Sequence, residues 1–398
     1  MHLLLSSTRI IKGGPLTKEI VSVSLSPSSR DYKFTTELFG EEVHVRRYGA
    51  DGDVQRAREL VAQFDGQVDA IGLGGMNIYF RVGHRTYIHK QIQQIASVAQ
   101  TTPVVDGVHL RNTLERWAIG RVAKQQPGIF SHKRVFVVAG IDRYGMAQVL
   151  STFTHQILFG DPIFHLNLPI PLRSFKQLER YANLVLPALC RAPYGKLCPV
   201  GLEQELRTPR GVKYFDQAHI IAGDYAYIRR FAPDNLRGKT VITNALSAGD
   251  VQTLEERGVE SLITVTQPFS DERPFVGTNV IEAILVSFMD RPLAEITEDD
   301  YLNLVARGEL EPCVTVLNKP RDVARYAFVI HPLDVDNIFN HPQLKYLRFL
   351  PSRLVERLVA NTRPLYLSRI TGVRSTASGQ EVEGFLISLG ATPRELMR

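Results

Sequence analysis

The chemistry-bearing residues of this sequence are glycines, aspartates and hydroxyl groups gathered where apolar runs end. The segment 140–145, G-I-D-R-Y-G, follows the near-continuous apolar run 133–139. Gly140 would let the chain turn sharply after a strand. Gly145 would let the backbone approach a ligand beside the free N–H groups of a following helix. The same loop offers Asp142 and Tyr144 as proton-transfer groups and Arg143 as a cation. It departs from G-x-G-x-x-G, because Asp142 brings a charge that opposes a pyrophosphate, so a tight turn and a nucleotide loop both fit. A second region, 264–279, places Thr266 at a strand end and Gly277 and Thr278 at the start of a helix. Such a start suits an anionic or sugar-like ligand, or serves as an ordinary cap. Asn244 and Ser247 would face the same crevice. Upstream, Asp106 beside Gly107, with Arg111 one turn into the next helix, could hold a polar ligand or cap that helix.

Other chemistries lack a signature. The sequence has no H-E-x-x-H, no G-x-S-x-G and no P-loop. Cys190, Cys198 and Cys313 match no zinc or redox spacing and read as reduced thiols, so no metal centre is expected. His84 and His89 lie in a polar stretch and read as solvated. The net charge of +6 comes from scattered basic residues, with one Trp and no recognisable nucleic-acid module. Nucleic acid is therefore not an expected partner, and the excess would suit a pocket for a phosphate or carboxylate. Apolar runs such as 281–288 fall well short of the roughly 20 residues of a membrane span, and the three leucines at 3–5 make no signal peptide. The expected setting is cytoplasmic.

The elements that must position these residues fall into three blocks, as a chain of 398 residues suggests. Residues 1–125 read as an N-terminal α/β domain in the order β-β-α-β-α-β-α. Its strands lie near 21–25, 43–48, 68–75 and 103–107, and its helices near 53–64, 90–100 and 109–125. Residues 126–290 read as a doubly wound parallel sheet. Its strands are expected at about 134–139, 163–167, 218–222, 240–244 and 261–265, without the alternation of a half-exposed sheet. Helices are expected at 144–158, 174–189, near 225–231, at 247–258 and at 278–289, the last closing this domain. Residues 291–398 read as a small C-terminal α+β segment. Its apolar stretches at 328–330, 346–350, 365–367 and 385–389 need a covering surface, from the first two domains, another subunit or a further domain.

The segments VSVSL, VDAIGLGGMNIYF, VVDG, VVAGIDRYGMA, KTVITNA, TVTQP and FVGTNVIEAIL, within about 20–290, resemble bacterial proteins known as quinate 5-dehydrogenases. That resemblance implies a Rossmann-like fold and an NAD(P)-dependent oxidoreductase acting on a small hydroxylated or carboxylated metabolite. NAD or NADP would then sit at Gly140, Arg143, Gly145, Asn244, Thr266, Gly277 and Thr278, with Asp106, Asp142 and Tyr144 as the catalytic candidates. The tail, through AFVIHPLD, LYLSRITGVRS and GQEVEGFLISLGATPREL, is similar to the opening of the amino-acid dehydrogenase group that includes long-chain acyl-ACP reductases. The competing expectation is a non-catalytic ligand-binding or scaffold protein of dehydrogenase ancestry, because fold alone does not imply activity. A homo-oligomer is compatible with either.

Overall fold

A computed structural model describes residues 17–198, 200–269 and 275–318. They build two mainly parallel sheets that share one compact unit. The first is made by β1 (Thr17–Ser24), β2 (Tyr32–Leu38), β3 (Glu41–Gly49) and β4 (Ala70–Gly74), with α1 (Val54–Phe64) between the last two. A separate hairpin of β5 (Tyr79–Val82) and β6 (Arg85–Ile88) and the helix α2 (Lys90–Ala96) lead to β7 (Val104–Val105) and α3 (Val108–Gln125). The order is β2-β3-β1-β4-β7, with only β2 antiparallel to its neighbour.

The second sheet starts at β8 (Val135–Val137). It continues through α4 (Tyr144–Phe153), β9 (Ile157–Phe159), α5 (Asp161–His165), α6 (Phe175–Leu189), α7 (Val212–Gln217), β10 (Ile220–Ala222), α8 (Tyr225–Phe231), β11 (Thr240–Ile242), α9 (Ala248–Glu256) and β12 (Ser261–Thr264). After α10 (Thr278–Ser287) and α11 (Glu298–Arg307), β13 (Cys313–Val316) adds an antiparallel edge. The order β13-β12-β11-β10-β8-β9 makes this the doubly wound α/β sheet expected from sequence. The chain leaves β8 toward β9 on one side and returns to β10 on the other. Ligands of such sheets bind where that reversal parts the loops.

Local chemistry explains these elements. Asp53 caps α1 by accepting from the amides of Gln55 and Arg56. Ser247 and Asp250 form a reciprocal capping box at the start of α9. The residues of β8 are buried throughout, as a central parallel strand requires. In β1 the alternation V-S-V-S does not mark a solvent face. Val21 and Val23 join the core that includes Leu60 and Val61 of α1, and Ser22 and Ser24 are buried on the other side.

Three expectations are corrected. The strand placed at 163–167 is the helix α5. Pro162 sits in its first turn, where the absent N–H costs nothing. The strand that pairs with β8 is β9, at residues assigned to the end of a helix 144–158. Second, α10 does not close the second sheet. Its apolar residues Val280, Ile281, Ala283 and Ile284 share a core with Ile20, Val43 and Ala70 of the first. Third, no boundary falls near 290, since α11 packs on α3 while β13 joins the second sheet. β2 and the β5–β6 hairpin are additions to the expected elements. The readings of the tail, including the apolar stretches from 328 onward, lie outside the described residues.

Gly145 has a role different from the one expected. A Cβ there would stand 2.4 Å from the Asn112 carbonyl oxygen and 2.7 Å from its Cα, so the glycine permits α4 to cross α3 at close range. Gly145→Val should therefore destabilise the protein by at least about 2 kcal/mol, because backbone cannot yield as a flexible side chain can. A lowered urea midpoint is the expected result, and a midpoint equal to wild type would refute this packing role.

Candidate functional site

The carboxyl ends of both sheets converge on one cleft of about 140 Å³. The first sheet contributes Ser22, Ser24 and Ser26 at the end of β1, and Gly74 and Gly75 at the end of β4. The second contributes Asp142 and Arg143 after β8, and Asp224 to Tyr227 after β10, which is its reversal point. Gly277, Thr278 and Asn279 bring the start of α10 into the same wall.

Arg111 ties these loops together. Its Nε donates to Thr278 Oγ1 at 3.2 Å; Nη1 donates to the Asp142 carbonyl at 3.2 Å and to Asp142 Oδ1 at 3.0 Å; Nη2 donates to Asn77 Oδ1 at 3.1 Å and to the Asp106 carbonyl at 3.2 Å. A guanidinium has five N–H groups, and all five have acceptors here. Arg143 stands beside it, donating to Glu115 Oε1 at 3.0 Å and to Asp224, and lying 3.1 Å from Asp142 Oδ2. Burial pushes the Asp142 carboxyl up, but the two guanidiniums outweigh it and hold the group below its ordinary range. Burial raises Glu115 above the usual carboxylate range, with Arg143 only partly offsetting it.

The other catalytic candidates are structural. Asp106 is buried, and its carboxylate accepts from the amides of Ile78 at 2.6 Å, Tyr79 at 3.0 Å and Val108 at 3.0 Å. It caps α3 and pins the turn into β5, without lining the cleft. Tyr144 donates to Glu179 at 2.7 Å and accepts from the Gly83 amide at 2.9 Å. Burial and the Glu179 carboxylate both push its hydroxyl above the usual tyrosine range. It too stands apart from the cleft. Asp142 reaches the cleft wall, but as an anion held by Asn77, Arg111 and Arg143.

The expected cofactor residues divide. Arg143, Gly277 and Thr278 line the cleft. Gly140, Gly145, Asn244 and Thr266 do not. Asn244 is buried, with no partner for either amide atom among the described residues. A Cβ on Gly140 would meet Leu178 at 2.8 Å and Phe159 at 2.9 Å, so that glycine serves packing. Sequence reasoning missed Asp161, which follows β9 and not the mistaken strand 163–167. Its carboxylate accepts from the amides of Gly140 at 2.9 Å and Ile141 at 2.8 Å. Burial is the main cause that pushes this carboxyl up to about 7. His89, read as solvated, is fully buried against the Tyr194 ring. The missed cleft residues include Ser22, Ser24, Arg30, Arg47, Asn77 and Asp224. The only signals for the serines were their alternation with valine and their place before a turn.

Gly72 and Gly107 explain how α10 reaches the cleft. A Cβ on Gly72 would lie 2.6 Å from the Asn279 carbonyl oxygen, and one on Gly107 would lie 2.6 Å from the Asn279 amide nitrogen. Asn279 then donates its Nδ2 to Ser22 Oγ at 3.0 Å. Among the described residues no cluster of His, Cys, Asp and Glu could hold a metal ion, and no helix is long and apolar enough to cross a membrane.

The family described as Domain of unknown function (DUF8754) matches residues 109–317, and the one described as Domain of unknown function (DUF8753) matches residues 19–106. The chain belongs to the DUF8754 family. Comparison with curated proteins finds no match. Among solved structures, ornithine carbamoyltransferase from Pyrococcus furiosus is similar at 13% identity, covering 74% of this chain and 83% of its own, with a TM-score of 0.27. A substrate-binding protein of a sugar ABC transport system from Bordetella parapertussis 12822 is similar at 12% identity, covering 68% and 80%, with a TM-score of 0.28. A galactofuranose binding protein is similar at 10% identity, covering 73% and 98%, with a TM-score of 0.28.

Two measurements check this construction. Arg111→Ala should cost about 3–5 kcal/mol in urea unfolding, because it strands Asp142 as a buried anion with one guanidinium fewer. A loss below 1 kcal/mol would mean that Arg111 does not join the loops. Asp161 holds its proton more tightly folded than unfolded, where its value is 3.8. Folding therefore takes up a proton between about 4 and 7, and the Asp161 contribution makes stability fall as pH rises through that window and level off above it. The wild-type stability curve minus that of Asp161→Asn should show this fall. A flat difference would show that Asp161 titrates as an ordinary carboxylate.

Proposed function

We propose that this protein is a ligand-binding module that holds a small polar metabolite in the cleft between its two sheets. The observation that carries the reading is the convergence of both sets of strand ends on one polar cleft. Open α/β sheets present ligands at that edge, and here two such edges face each other. The walls combine apolar surface with hydroxyl, amide and charged groups, and pre-formed sites orient ligands with a few such groups.

The resemblance to quinate dehydrogenases implies NAD or NADP with its pyrophosphate at loop 140–145. That group needs the loop amides, but the Asp161 carboxylate accepts from both Gly140 and Ile141. Gly140 is covered by Leu178 and Phe159, and Gly145 by Asn112. The residues of this loop do not fit a pyrophosphate, and no hydride-transfer step is derived from them. Non-catalytic binding on a dehydrogenase-like scaffold is the reading that fits.

A thermal-shift screen of the full chain tests it. The library should contain sugars, polyols, hydroxy acids and amino acids, together with NAD and NADP. A ligand at 100 times its dissociation constant adds about 2.7 kcal/mol of stability. We expect a small metabolite to stabilise wild type and to fail with Gly74→Val, whose added atoms would crowd Ser22 and Ser24. Stabilisation by NAD or NADP that persists in Gly74→Val would overturn the proposal.

A further inference from the structure

Resting on that reading, we propose that the ligand is an uncharged polyhydroxylated molecule of the sugar or cyclitol class, not a carboxylate or a phosphate. Four guanidiniums line the cleft: those of Arg30, Arg47, Arg111 and Arg143. Each already has a protein carboxylate. Arg30 pairs with Asp250 at 2.6 Å, Arg47 with Asp31 at 2.6 Å and Arg111 with Asp142 at 3.0 Å. Arg143 meets Glu115, Asp142 and Asp224. These four cations meet the carboxylates of Asp31, Glu115, Asp142, Asp224 and Asp250, of which Asp142 and Asp224 line the cleft and Asp250 also lies 4.0 Å from Arg229. An anionic ligand would add a further negative charge beside carboxylates that already neutralise these cations. Arg111 has no N–H left to offer.

The start of α10 does not supply the missing cation. Backbone at Gly107 stands against the Asn279 amide, and the Asn279 side-chain oxygen lies 2.5 Å from where a Cβ on Gly277 would be. The groups that remain suited to a ligand exchange hydrogen bonds without a charge. Ser22 Oγ accepts from Asn279 and keeps its own proton to donate. Ser24 Oγ donates to Ser26 Oγ at 3.0 Å and accepts from the Ser26 amide at 3.1 Å, which leaves Ser26 Oγ its proton to donate. Asp224, a quarter exposed, is an acceptor that a ligand hydroxyl can meet without opposing its charge. A polyol matches this set, because each of its hydroxyls both donates and accepts.

The test is isothermal titration calorimetry on the full chain with matched sets of probes. One set is ribose, ribose 5-phosphate and ribonate; another is glucose, glucose 6-phosphate and gluconate; myo-inositol stands alone. The expected result is that a neutral member binds at least tenfold more tightly than its charged partners. Ser22→Ala and Ser24→Ala should each weaken it by about tenfold. Ser24→Ala leaves the Asn279 bond intact but removes an acceptor of the Ser26 amide, so an unchanged urea midpoint is required beside its loss of affinity. Tighter binding of a phosphate or carboxylate member, abolished in Gly74→Val, would overturn the ligand class while leaving the cleft reading in place. Absence of binding by every neutral probe, beside a hit among charged metabolites in the thermal screen, would overturn it in the same way. Absence of any hit in either experiment would overturn both.

Discussion

The whole architecture depends on how one buried guanidinium is satisfied. Arg111 stands on α3, between the two sheets, and its five N–H groups reach the loops after β4, β7 and β8 and the start of α10. A buried cation with an unsatisfied donor is costly, so each of those loops is constrained in position. Asp142 makes the constraint mutual. It lies between Arg111 and Arg143, and Arg143 extends the lattice to Glu115 on α3 and Asp224 at α8. The relation of the two sheets is thereby built from ionic geometry as well as apolar packing.

That lattice could not form without close backbone approach. Gly72 and Gly107 admit α10 to the first sheet, and Gly145 admits α4 to α3. The consequence is a chain that returns to its first lobe after completing the parallel part of the second. A helix expected to finish one domain instead covers β1 and β4 of the other. Such an exchange makes the unit continuous across residues 17–318 and gives the cleft walls from both lobes that a single sheet would lack.

The same economy of charge shapes what the cleft can recognise. Net basicity is a property of the whole surface, whereas recognition is set by donors that lack internal partners. In this cleft the guanidiniums are matched by carboxylates, and beside it the loop amides of Gly140 and Ile141 are matched by Asp161. Hydroxyl and amide groups are left to meet a ligand.

Much of the fold was determined by the sequence itself. Apolar runs before glycines placed β8 and β10, and the apolar-rich runs TVI and LIT placed β11 and β12, because strands buried on both faces need largely apolar side chains. Asp53 and Ser247 placed helix starts, because their side chains satisfy free amides. Arg143, Gly277 and Thr278, singled out by their position after strands or before α10, line the cleft. The tertiary structure decided the rest. Three-residue strands such as β9 carry too little periodicity to be separated from a neighbouring helix, so Asp161 went unseen. Gly140 and Gly145 have the same composition whether they admit a phosphate or a helix, and only the position of Phe159, Leu178 and Asn112 tells which. Asp106, Asp142 and Tyr144 are titratable in any sequence. Whether such a group is a free acid or a buried anchor depends on partners up to tens of residues away, such as Asn77, Arg111 and Glu179, which only the folded chain brings within hydrogen-bond reach.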